Sequence, residues 1–181
     1  LSSKLVMGGG YALKLPVIDI SEIGAGGGSI VSLDRGGLVK VGPESAGAEP
    51  GPACYNKGGD RPTFTDSVVT LGFLNPGHLV GGDLRLDADR ARSAIDERVA
   101  RLINQDPLDI AWGIFQVACG TMVRAVKAVS TYRGRDPRDF SLFAFGGNGP
   151  VVAAEIANLL DMRNVVIPPT PGVFSAFGLL L

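Results

Sequence analysis

The chain has 181 residues, of which 45% are hydrophobic, 19% charged and 26 glycine. That glycine share is about twice the ~7% of an average globular protein, yet it shows neither the Gly-X-Y period of collagen nor the low hydropathy of a disordered tract. With 17 Lys and Arg against 18 Asp and Glu the net charge is −1, which gives no electrostatic basis for nucleic acid or an anionic membrane as a partner.

Further chemistries fall out by counting. A single histidine, His78, rules out a His-rich zinc site, and after Asn75-Pro76-Gly77 it reads as a loop residue. The two cysteines, Cys54 and Cys119, form no C-x-x-C pair and read as free thiols of a reducing cytoplasm. The most apolar stretch, residues 110–123, is broken by Gln116 and is shorter than the ~20 residues that cross a bilayer. The chain opens Leu1-Ser2-Ser3-Lys4 without an initiator Met and stops at Leu179-Leu180-Leu181 inside an apolar pattern. The expectation is therefore a segment of a longer protein, carrying part of a site.

Glycine is unevenly placed, with 18 of the 26 in residues 1–82 and 8 in residues 83–181. Two portions follow: a turn-rich strand and hairpin portion over 1–82, and a more regular helical and βαβ portion over 83–181. Residues 17–20 read as a short apolar strand running into Gly24-Ala25-Gly26-Gly27-Gly28-Ser29. Ile30-Val31-Ser32-Leu33 and Leu38-Val39-Lys40-Val41, joined by Asp34-Arg35-Gly36-Gly37, predict a hairpin. Residues 43–62 predict an ordered irregular loop in which Ala53, Cys54 and Tyr55 supply something to bury. Thr65-Asp66 offers an N-cap for a short turn through Leu71.

Ala88, Ala91, Ile95, Val99 and Leu102 recur at helical spacing with charged residues between them, which predicts an amphipathic helix over 88–103. Asp106 as N-cap with Pro107 behind it opens a second helix to about Ser130. That helix is apolar on nearly every side through its first half, with Gly113 and Gly120 on one face as an opening for a second backbone. Residues 140–145 then read as a strand, 146–149 as a tight turn, 150–160 as a helix and 165–167 as a parallel strand, with Thr170-Pro171 capping a last helix. The class is α/β.

Two glycine clusters are the candidate sites. Residues 24–29 are not a Walker A loop, since no Gly-Lys-Ser/Thr follows, nor a dinucleotide fingerprint, since a hairpin follows instead of a helix. They are either a tight turn between strands or an anion-binding nest of consecutive N–H groups. Gly146-Gly147-Asn148-Gly149-Pro150 lies between a strand and a helix N-terminus, at the carboxyl end of a strand where ligands of open α/β sheets collect. Asp66 is a helix cap or a proton-handling group. Arg133, Arg135 and Arg138, with Asp136 and Asp139, read as a solvated helix-to-strand turn, and Arg124 and Lys127 either snorkel to solvent or reach an anion.

Five ordered motifs then carry a resemblance. They are residues 24–30, residues 41–55 (Val-Gly-Pro-Glu-Ser-Ala-Gly-Ala-Glu-Pro-Gly-Pro-Ala-Cys-Tyr), Thr63-Phe64-Thr65-Asp66, Phe145-Gly146-Gly147-Asn148-Gly149-Pro150 and residues 171–178 (Pro-Gly-Val-Phe-Ser-Ala-Phe-Gly). Together they resemble the hydantoinase A / 5-oxoprolinase family, which includes subunits of acetone and acetophenone carboxylases, from Pro16 onward. The resemblance implies part of an actin-like ATPase lobe, with Gly146, Gly147, Asn148 and Gly149 at the adenosine and Gly26, Gly27, Gly28 and Ser29 near the phosphates. It implies ATP and Mg²⁺ as cofactors, a cyclic amide substrate, a partner subunit of hydantoinase B type, and no metal ligand within this segment. The phosphate-binding Asp-x-Gly-Gly-Thr hairpins are absent here and are expected upstream of Leu1, which leaves Asp66 as the one catalytic candidate.

The implied reaction is carbonyl phosphorylation followed by hydrolytic ring opening. A ketone carboxylase subunit and a catalytically incomplete structural fragment are the alternatives. Where hydantoinases often carry histidine, this chain has Ser21-Glu22, Arg135 and Val151-Val152, and the third residue of the Gly-Gly motif is Asn148. The substrate subgroup therefore stays open.

Overall fold

In the computed structural model, the described residues are 18, 20–77 and 84–180. The readings placed on His78, on Val17 and Asp19, on the first residues and on Leu181 lie outside them. Ile18 and Ile20 are exposed and pair with no strand, so the expected apolar strand before the first glycine cluster is not formed at these two positions.

The hairpin forms as its sequence predicts. β1 (Ser29–Leu33) pairs antiparallel with β2 (Val39–Ser45), Val31 opposite Val41 and Leu33 opposite Val39. The turn is organised by Asp34, whose Oδ1 accepts from the N–H of Gly36 at 2.8 Å and of Leu38 at 3.0 Å. These two N–H groups hold the Asp34 carboxyl below its ordinary range. β2 runs four residues beyond the predicted Val41, because Ser45 reaches back to pair with Ser29 across a register irregularity. An isolated bridge between Ile30 and Thr63 brings the end of the irregular loop alongside β1.

α1 (Phe64–Thr70) begins two residues earlier than a cap at Thr65 allows. Thr63 is the N-cap and Asp66 the third helical residue of a reciprocal capping box. The short 3₁₀ turn Ala53–Tyr55 carries the buried Ala53 and Cys54 of the irregular loop. α2 (Ala88–Ile95) has Asp87 as N-cap and continues through a π turn (Asp96–Ala100) into a 3₁₀ turn (Arg101–Ile103). The π turn inserts an extra residue into the helical period. The buried stripe is therefore Ala91, Ala94, Ile95, Val99 and Ala100, and Leu102, expected on it, is exposed.

α3 (Pro107–Val129) has the predicted Asp106 cap, with Oδ1 accepting from the Leu108 N–H at 2.7 Å, and Pro at its start. It buries Ile110, Ala111, Ile114, Phe115, Ala118, Cys119 and Val123 at spacings of three and four. A single core holds these side chains with Val31, Phe64, Val68, Ile95 and Val99, and with Val152, Ile156 and Leu160. Residues from before and after position 83 thus share one apolar interior. At about 1.5–3 kcal/mol for each fully buried large aliphatic or aromatic side chain, that interior is the main source of stability.

Although apolar on nearly every side through its first half, α3 is not buried on every side. Leu108, Trp112 and Val117 are exposed on the far face, and no atom among the described residues lies within 4 Å of a Cβ placed on Gly113 or Gly120. One face packs and the other is open, so no second backbone among the described residues uses the two glycines.

The last third is the predicted βαβ unit. β3 (Leu142–Phe143) and β4 (Val165–Val166) pair in parallel, with α4 (Gly149–Leu159) as the crossover, so both strands are shorter than the alternation suggests. α5 (Phe174–Phe177) follows the 3₁₀ turn Pro171–Val173. Thr170 precedes that turn in a left-handed conformation, and its hydroxyl donates to the Pro169 carbonyl and accepts from no helix N–H. The fold is α/β: an antiparallel hairpin and three helices, then a parallel strand–helix–strand.

Candidate functional site

The two glycine clusters, about 120 residues apart in sequence, meet in space. A Cβ placed on Gly27 would overlap Nδ2 of Asn148 and stand 2.9 Å from Oγ1 of Thr65. Only glycine lets the Asn148 carboxamide lie against the backbone there. Gly27 is itself held to α1, because its carbonyl accepts from the Thr65 N–H at 3.0 Å and from the Thr65 hydroxyl at 2.9 Å.

The rest of the first cluster is a closed turn. The N–H of Gly26 donates to Oγ of Ser29 at 2.8 Å, and the Ser29 N–H returns to the Gly26 carbonyl at 3.1 Å. The Gly28 carbonyl accepts from the Ala46 N–H at 2.8 Å, and Ser29 is buried as the first residue of β1. The Gly26 N–H is thus spent inside the turn, and none of these glycines has the positive φ of an alternating nest. The geometry of the loop is that of a tight entry to the hairpin.

The second cluster is more open. Gly146 takes φ +85, a left-handed conformation that glycine adopts freely, and its N–H donates to the Pro171 carbonyl at 2.8 Å. Gly147 is exposed, and no described atom lies within 4 Å of a Cβ built on it. Asn148 is the N-cap of α4 but makes no side-chain capping bond, and Gly149 and Pro150 form the first helical positions. The N-terminus of an 11-residue helix is therefore presented without a capping side chain, beside an unobstructed glycine. Phe143, Phe145 and Phe174 stand next to this turn with ring centroids 5.3–5.9 Å apart.

Asp66 lies behind the Gly27 wall and is fully buried. Its Oδ2 accepts from the N–H groups of Ala53 (3.2 Å) and Thr63 (2.8 Å) and from the Thr63 hydroxyl (2.8 Å), while Oδ1 accepts from the Cys54 N–H at 2.8 Å. The carboxylate ties the irregular loop to the start of α1. Burial, with the Asp66 charge second, pushes the Cys54 thiol far up. Burial with the nearby Glu155 pushes Cys119 up to about 12. Both thiols are buried and free.

The arginine turn lies at the other end of α4. Lys127, Arg135, Asp136, Arg138 and Asp161 line an open cavity of about 420 Å³ together with Leu159 and Leu160. Arg138 grips Asp136 with Nε at 3.0 Å from both carboxylate oxygens and Nη2 at 2.6 Å from Oδ2. That pairing holds the Asp136 carboxyl down near 2. The solvated-turn reading of Arg135 and Arg138 agrees with their exposure. Among the described residues no group of three His, Cys, Asp or Glu side chains is placed to hold a metal ion, and no helix is long and apolar enough to cross a membrane.

What the sequence could not supply is the pairing of Gly27, Thr65 and Asn148. The only available signal was that the third residue of the Gly-Gly motif is Asn.

The chain is similar to known proteins. The α subunit of caprolactamase from Pseudomonas jessenii is 41% identical over 171 residues, 94% of this chain and 25% of that protein. The crystal structure of the ATP-dependent caprolactamase of the same organism superposes with a TM-score of 0.84 at 41% identity, covering 93% of this chain and 24% of that one. The nucleotide-free structure of acetone carboxylase, from a study of ATP-dependent acetone carboxylation, superposes at 0.83 with 31% identity, covering 92% of this chain and 24% of that one. The chain thus spans about a quarter of the length of these relatives. The model of the hydantoinase/oxoprolinase family matches residues 2–181. With its five motifs in order and its α/β fold shared with both enzymes, the chain belongs to the hydantoinase/oxoprolinase family.

Proposed function

We propose that this chain is one wall of the nucleotide cleft in an ATP-dependent enzyme that opens cyclic amides of the hydantoin or 5-oxoproline type. The observation that carries the proposal is the convergence of Gly27 and Asn148, which brings the 26–29 loop beside the 146–149 turn. Gly146, Gly147, Asn148 and Gly149 would hold the adenosine, and Gly26, Gly27, Gly28 and Ser29 would stand toward the phosphates. The residues fit such a ligand. Gly147 leaves open space above the turn, and the uncapped N-terminus of α4 offers a positive dipole end to polar or anionic groups. The described residues offer no ligand set for Mg²⁺, so the ion would be held by the phosphates and by carboxylates elsewhere in the protein.

When bound, ATP would supply the phosphoryl group that turns a lactam carbonyl oxygen into a competent leaving group before water attacks. The role of this chain is positional: backbone N–H groups, a rigid glycine wall and steric openness orient the nucleotide. The actin-like lobe, a cytoplasmic setting and a partner subunit of hydantoinase B type belong to the same proposal. A partner subunit is supported by relatives named as subunits.

The experiment is an ATP titration of the full-length protein and of its Gly147→Val variant. Wild type is expected to bind below about 100 μM, or ~ −5.5 kcal/mol. The variant should lose at least about tenfold in affinity with its melting temperature unchanged, since the added side chain meets no described atom. Equal affinity in the variant would remove the adenosine-turn assignment. No binding by folded wild type would favour the alternative of a structural module.

A ketone carboxylase subunit is the second reading, favoured by the near-equal superposition on acetone carboxylase. The higher identity to caprolactamase supports the cyclic amide. ATP turnover stimulated by cyclic amides sustains the first reading, and turnover requiring ketone plus bicarbonate sustains the second.

A further inference from the structure

We propose that Asn148 is a positioning residue: its carboxamide, seated on the bare backbone of Gly27, sets the spacing between the hairpin-entry loop and the 146–149 turn. This inference rests on the nucleotide reading above and adds a residue and a mechanism to it.

Asparagine at an N-cap ordinarily accepts from the N–H of the second or third helical residue. Asn148 holds the N-cap position of α4 without that bond. Its backbone explains why. An N-cap residue that caps is usually extended, whereas Asn148 has φ −110 and ψ −8, in the helical region. The side chain is aimed away from the helix start and lies across the gap, over Gly27.

The surface it meets is rigid. Gly27 is fixed to α1 by two hydrogen bonds from Thr65, one from the N–H and one from the hydroxyl. The start of α1 is fixed in turn by Asp66, which accepts from Thr63, Ala53 and Cys54. A contact between the partly exposed 146–149 turn and such a wall sets the position of the turn, not of the wall. Gly147, immediately before Asn148, has open space over it. The steric fit at Gly27 therefore bears on the group placed to meet the nucleotide.

This contact makes the two residues energetically coupled, which a double-mutant cycle reads directly. Gly27→Ala, Asn148→Ala and the double variant are made in the full-length protein. ATP affinity is measured well below each variant's melting temperature, and the melting temperatures are recorded. Gly27→Ala is expected to weaken ATP binding by about tenfold or more, because the new methyl displaces the carboxamide, and Asn148→Ala by about threefold. The double variant should recover to within about threefold of Asn148→Ala alone, since the methyl then occupies the vacated space and only the Thr65 hydroxyl must adjust.

Three results overturn the inference. A double-variant loss equal to the product of the single losses means that the residues are uncoupled. Lowered melting temperatures with unchanged ATP affinity mean that the contact is packing alone. Failure of folded wild type to bind ATP overturns the nucleotide reading first, and the positioning role with it.

Discussion

Replacing Asp66 separates a structural carboxylate from a catalytic one. In the folded chain it is fully buried and accepts from three backbone N–H groups and one hydroxyl. Asp66→Ala strands all of these donors. The Thr63 hydroxyl can rotate, but the N–H groups of Ala53, Cys54 and Thr63 cannot. At about 1–3 kcal/mol for each buried unsatisfied donor, the loss is about 3–9 kcal/mol before relaxation lowers it. A domain holds only about 5–15 kcal/mol in total, so the alanine variant should lose a large share of its stability.

Asp66→Asn keeps the shape, and its carbonyl oxygen can serve the three donors that converge on Oδ2. Its amide then opposes the Cys54 N–H, donor against donor, for a cost of about 2–3 kcal/mol. Urea unfolding of the full-length protein, followed by circular dichroism, reads both losses as shifts in midpoint at constant slope. Turnover per folded Asp66→Asn molecule should stay near wild type. An alanine variant within 1 kcal/mol of wild type by this estimate would refute the scaffold reasoning. A stable asparagine variant without turnover would return Asp66 to the chemistry.

Two further outcomes follow from the titrating groups. The Asp136 carboxyl should titrate near 2 by carbon-detected NMR, and Arg138→Ala should return it toward 3.8. Because its folded value is depressed, the Asp136–Arg138 pairing contributes above about pH 4 and is lost as pH falls toward 2; an unshifted midpoint in Arg138→Ala would remove the cause assigned here. Cys119, pushed up to about 12, and Cys54, also raised, should resist alkylation in the native protein at neutral pH and react once denatured. Peptide mapping after iodoacetamide treatment checks this, and rapid native labelling of either peptide contradicts the burial.

Local chemistry made much of the fold legible. Asp106-Pro107 opens α3 because an acidic cap and a proline without N–H suit a helix start wherever it occurs. Ile30 to Val41 forms a hairpin because Asp34 and the following glycines make the turn themselves. Failures came where a distant partner decides. The cap at α1 moved to Thr63 because Asp66 is drawn into bonds with Ala53 and Cys54, residues a sequence window around α1 does not contain. Leu102 left the apolar stripe because a π turn shifted the phase of the helix, and helical spacing assumes a constant period. Gly113 and Gly120 suggested a close backbone neighbour, but among the described residues no element reaches them.

By itself the sequence determined the class of the chain, its family motifs and the two glycine clusters, because turn residues, caps and periodicity act within a few positions of themselves. Tertiary structure alone decided that the clusters touch. Whether Gly27 is a simple turn residue or the seat of Asn148 depends on a contact across about 120 residues of chain. The core that α3 builds with α1 and α4 sets the place of both elements. Close packing fixes such a contact, and no short-range pattern encodes it.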